Sequence, residues 1–100
     1  MPYMPDYFLA TAVATGSVSA ASVPGVSVMR QNLNRKFFSI FNDSPSAAYV
    51  KFGPSGTLQD FCFQLPAYAY YESPIPCVSS EVWGCWQTAT GSVKFSEASW

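Results

Sequence analysis

From residue 31 onward, short runs of aromatic and β-branched residues are cut by turn-forming residues roughly every 6–12 positions, and no long stretch carries a helical period. Residues 36–42 (KFFSIFN) form the first run, and Asn42, Asp43, Ser44, Pro45 and Ser46 follow it as a turn. Residues 48–52 (AYVKF) alternate, with Ala48, Val50 and Phe52 on one face. A second turn, Gly53-Pro54-Ser55-Gly56, leads to residues 60–65 (DFCFQL), where Phe61, Phe63 and Leu65 alternate with Asp60, Cys62 and Gln64 until Pro66 stops the run. Residues 68–73 read as a strand ended by Pro74 and Pro76. Residues 81–88 and 92–97 close the chain, with Thr90-Gly91 placed as in a hairpin. Six short strands with such punctuation predict an all-β fold, a small antiparallel β-sandwich of jelly-roll-like type. The expected core is Phe38, Ile40, Val50, Phe52, Phe61, Phe63, Leu65, Val82, Val93 and Phe95.

The first 30 residues differ. Up to Met29 they carry one charge, Asp6, among Ala, Ser, Thr, Val and Gly, with Pro2, Pro5 and Pro24 as breakers. This composition predicts an extended N-terminal arm over 1–30, holding one or two short strands near residues 11–18 and 26–30, ahead of a sandwich domain over 31–100. Tyr3, Tyr7 and Phe8 are its aromatic anchors. A terminal arm stays disordered unless it docks, so this one is expected to dock on its own domain or on a neighbouring chain. Asp6 stands where a secretion signal would carry Lys or Arg, and no window is long and apolar enough for a membrane helix.

Charge is scarce. Only 11% of the 100 residues are Asp, Glu, Lys or Arg, against about 25% in ordinary domains. Five basic residues against six acidic ones argue against a phosphate-tracking nucleic-acid binder. The absence of histidine excludes Ser-His-Asp and Cys-His catalysis and His-ligated zinc. The acids Asp43, Asp60, Glu72, Glu81 and Glu97 fall in turns, at strand ends or at solvent-facing positions, so carboxylate catalysis has no convincing pair, and no enzyme activity or cofactor is expected. Cys62, Cys77 and Cys85 have no C-x-x-C spacing. They read as thiols of a reducing compartment, with a Cys77–Cys85 disulfide left open to geometry.

With 49% hydrophobic residues on so short a chain, apolar surface must stay outside, and contiguous apolar surface marks interfaces. Tyr68, Tyr70, Tyr71, Trp83 and Trp86 could form a stacking platform for sugars or for bases. Strand alternation sets Tyr70 against Tyr71 and Trp83 against Trp86, so one tryptophan belongs in the core. A large apolar residue at the last position, Trp100, is expected to cap the sandwich or plug a neighbour. The candidate interface residues are Tyr3, Tyr7, Phe8, Tyr68, Tyr70, Trp83 and Trp100.

Residues 35–97 carry a pattern: Arg35, Ile40, Asn42 and Ser44; Tyr49-Val50 and Phe52-Gly53; Leu65-Pro66; Tyr70-Tyr71-Glu72 and Pro74; Val82, Gly84 and Trp86; Ala89 and Gly91; and Glu97. It resembles that of small β-sandwich proteins of bacteriophage particles, which include capsid decoration (cement) proteins and tail or baseplate pieces. The resemblance implies a non-enzymatic component of the virion, on the outer capsid surface and made in the bacterial host cytoplasm. Its expected partner is the major capsid protein, bound through the arm and an apolar sandwich surface. A homo-oligomer, a trimer above others, would add avidity. No membrane or nucleic-acid partner is expected. A tail, baseplate or fibre component is the alternative, and a carbohydrate-binding surface module is a third.

Overall fold

The computed structural model describes residues 12–22, 25–54, 57–74 and 77–99. Eight strands and no helix are found among them: β1 (Ala12–Ser19), β2 (Val26–Met29), β3 (Arg35–Asp43), β4 (Ala48–Phe52), β5 (Phe63–Leu65), β6 (Tyr70–Glu72), β7 (Val82–Trp86) and β8 (Ser92–Ser99). They form two four-stranded antiparallel sheets, β1-β8-β3-β6 (sheet A) and β2-β7-β4-β5 (sheet B). Of all sequence neighbours only β4 and β5 pair. Every other connection crosses between sheets, and the resulting order is that of a jelly roll, two Greek keys wrapped into a sandwich.

The core between the sheets holds Phe38, Ile40, Val50, Leu65, Val82 and Val93, as the alternation predicts, together with Val28, Met29, Ala48 and Trp86. Phe52, Phe63 and Phe95 are partly buried against it. Phe61 is not among these core residues. The strand expected over 60–65 begins only at Phe63, because Thr57 Oγ1 accepts the amides of Gln59 and Asp60 and holds the preceding residues in a turn. Phe61 instead meets the Tyr49 ring edge-on at 4.9 Å. The hairpin expected at residues 81–97 is also absent, since β7 and β8 lie in different sheets. Gly91 makes that crossover, at φ +91° and with no room for a side chain: a Cβ there would lie 2.6 Å from the Asp43 carbonyl oxygen.

The segment read as an arm enters the sandwich from residue 12. β1 pairs with the full length of β8, and β2 pairs with β7, so each sheet takes one edge strand from it. The small and β-branched residues of β1 suit an edge of this kind. A structural boundary at residue 30 is therefore not found, and residues 1–11 lie outside the described residues.

Two buried polar side chains of β3 lock the ends of the sandwich. At one end the ladder shifts between Arg35 and Phe37. Such an irregularity turns a side chain to the other face, and Arg35 is buried. Its Nε donates to Glu97 at 2.7 Å, and its two terminal nitrogens donate to the carbonyls of Val78, Ser80 and Arg30 at 2.7–2.9 Å. At the other end the Asn42 amide donates to the carbonyls of Ser46, Leu65 and Pro66, and its Oδ1 accepts the Trp86 indole N–H at 3.1 Å. No buried side-chain N or O among the described residues lacks a partner.

Candidate assembly surface

Strand register builds two straight rows of side chains across the outer face of sheet A. Tyr70, Phe41, Lys94 and Ser17 are successive cross-strand partners, and so are Glu72, Ser39, Ser96 and Thr15. The Ser39 and Ser96 hydroxyls bond at 2.8 Å, and Lys94 reaches Ser17, Ser92 and the Asp43 carboxylate. A shallow groove of about 490 Å³ runs over these rows. Tyr70 is 58% exposed, and Tyr68 beside it is 59% exposed.

Tyr68 is not in a strand. It occupies the turn from Pro66 to Ala69 at φ 57°, closed by the Ala69 amide on the Pro66 carbonyl. A non-glycine residue in this region costs about 1 kcal/mol. Asn42 holds the turn in place, its side chain on the Leu65 and Pro66 carbonyls and its amide on the Ala69 carbonyl. Tyr68 is thus presented by a buried lock.

The candidate residues do not all converge. Trp83 lies on the outer face of sheet B, half-buried, its indole N–H donating to Glu81 at 3.0 Å. Tyr71 points inward against Phe38, Phe52 and Phe63, as alternation requires, and burial raises its phenol pKa. Trp86 is the core tryptophan, and its ring fills the space a Cβ at Gly84 would need, at 2.9 Å. Tyr3, Tyr7, Phe8 and Trp100 lie outside the described residues. Two further large apolar residues are exposed, Val13 on β1 at 71% and Leu33 in the β2–β3 turn at 77%. For Val13, the lack of any charge in its strand was the available signal.

Four of the acidic side chains are engaged in ion pairs or hydrogen bonds. Asp60 pairs with Lys51, Asp43 with Lys94 and Glu97 with Arg35, while Glu81 accepts from Trp83 and Ser27. No group of three His, Cys, Asp or Glu that could hold a metal is found among them. Cys62, Cys77 and Cys85 are free thiols, with burial pushing the latter two up from their ordinary pKa. Several residues that carry the virion resemblance have packing roles. Arg35 and Glu97 close one end of the sandwich, Asn42 and Trp86 close the other, and Gly91 makes the crossover. No family model, curated protein or solved structure matches this chain.

Proposed function

We propose that this chain is a non-enzymatic structural protein of a bacteriophage particle that decorates and stabilises the capsid by binding major capsid subunits. The observation that carries the reading is the Tyr68–Tyr70 surface. Exposed Tyr70 stands beside Phe41 on a sheet face whose other paired residues are mostly short and hydroxylated, and exposed Tyr68 sits two residues before it in a turn held by Asn42. Rigid aromatics beside adaptable hydroxyls suit a permanent protein contact, where Tyr is a frequent energetic centre. Because β1 and β2 belong to the sandwich, this reading draws the anchor from the residues ahead of β1, whose sequence holds Tyr3, Tyr7 and Phe8.

The test is copy number in purified particles. Hundreds of copies per particle are expected, with Tyr68→Ala/Tyr70→Ala or deletion of residues 1–11 lowering incorporation at least tenfold while the sandwich stays folded. A handful of copies would move the protein to the tail or baseplate. Absence from particles would overturn the virion reading.

The two rows on sheet A favour a second reading, a carbohydrate-binding module. Tyr70 and Phe41 offer rings for stacking, while Lys94 and Ser17 in the same row, and Glu72 and the hydroxyls of the next row, offer hydrogen bonds. Neutral and anionic oligosaccharides screened by ligand-observed NMR would show saturation transfer that Tyr70→Ala abolishes. Silence across the panel would remove this reading.

A further inference from the structure

We propose that the outer edge of β1, which pairs with no other strand among the described residues, is a self-pairing interface, through which two copies of this chain join antiparallel into one continuous eight-stranded sheet. The four sheet edges are not alike. β5 and β6 have three residues each, and β6 carries Glu72. β2 has four residues, and its register is irregular between Ser27 and Met29. β1 has eight residues, AVATGSVS, without charge or proline, and its burial pattern is almost wholly exposed. Edges are ordinarily blunted by shortness, charge, proline or a bulge, and a long bare edge is a template for another strand.

The phase of the ladder shows what that edge offers. The Ala20 amide donates to the Gly91 carbonyl at 3.0 Å, in register with the β1–β8 pairing. Even-numbered residues of β1 therefore bond to β8, and Val13, Thr15, Ser17 and Ser19 turn their N–H and C=O groups outward.

A second copy fits these groups. With Gly16 on a two-fold axis, Val13 opposes Ser19 of the second copy, Thr15 opposes Ser17, and Ala14 opposes Val18. All four outward residues of each strand then bond, giving about eight hydrogen bonds. Hydroxyls meet hydroxyls, small residues meet β-branched ones, and the outer faces stay on one side. No like charges are brought together. The two Lys94 residues would stand about 16 Å apart at strand and residue spacing, beyond a screening length of about 10 Å at 0.1 M salt. Antiparallel self-pairing makes the assembly a closed dimer. The pairing does not depend on the virion reading.

The test is sedimentation of the full chain over a concentration series, with residue-resolved amide exchange. A monomer–dimer equilibrium is expected. The amides of Val13, Thr15, Ser17 and Ser19 should gain protection as concentration rises, while those of Ala14, Gly16 and Val18 stay protected throughout. Thr15→Pro removes only an outward N–H, and Ser17→Lys places charge at the edge. Each should raise the dimer dissociation constant at least tenfold with the sandwich intact. A chain that is monomeric at every concentration, or trimeric, overturns the proposal. So does a dimer whose β1 amides show no odd–even alternation.

Discussion

The two outer faces of this sandwich are treated differently. Sheet B covers itself: the β4–β5 connection lays Phe61 on Tyr49, and Trp83 is tied to Glu81. Sheet A leaves its face open, with Tyr70 more than half exposed, a shallow groove, and a long bare edge at β1. Under the proposed function, sheet B would serve as scaffold and sheet A as contact surface. The contrast shows that an apolar composition identifies a surface to be covered, while the fold decides whether the chain covers it or a partner does.

The largest effect should come from the lock that serves both sheets. Arg35→Ala leaves Glu97 and three backbone carbonyls without their partner, and removing one member of a buried pair costs about 3–5 kcal/mol. Urea unfolding should show this loss with both sheets melting together. Separate melting of the sheets would disprove a shared lock. Asn42→Ala should come next, at about 2–3 kcal/mol, since it strands the Trp86 indole N–H and frees the turn that carries Tyr68. Under the proposed function, its further signature would be weakened particle incorporation in step with loss of Tyr68 positioning.

The contrast between the faces is sharpened by paired substitutions. Phe61→Ala on sheet B should cost about 1–2 kcal/mol through lost ring packing. Tyr70→Ala on sheet A should change stability by no more than about 0.5 kcal/mol. Equal losses at the two positions would contradict the division into scaffold and contact surface.

The smallest effect is expected from pH. Burial raises the thiols of Cys77 and Cys85 above the ordinary 9.0, with Arg35 partly opposing the shift at Cys77. The folded chain then holds these protons more tightly than the unfolded one. Their contribution to stability is full below the ordinary thiol range and is lost as pH rises through the raised values. The urea midpoint should fall on the alkaline side, and Cys77→Ala/Cys85→Ala should flatten that fall.

Much of the strand inventory was legible. Six runs after residue 31 became β3–β8, and the two weak runs before it became β1 and β2. Alternation set Tyr70 against Tyr71 and Trp83 against Trp86, and the structure turns Tyr71 and Trp86 inward. Arg35 and Asn42 gave no such signal, because a polar residue inside a strand reads as solvent-facing until its partners are known. Those partners stand far along the chain, Glu97 for Arg35 and Trp86 for Asn42.

Local chemistry in the sequence set where strands begin and end and which side chains share a face, because turn residues and period-two alternation act over a few positions. Sheet membership was decided only by tertiary structure. Six pairings build the two sheets, and only β4–β5 joins sequence neighbours. The rest depend on how distant segments jointly bury Phe38, Ile40, Trp86 and Val93. The division between a covered and an open face, and the bare edge of β1, follow from that packing, because no residue's own neighbours in the chain specify which strand will lie beside it.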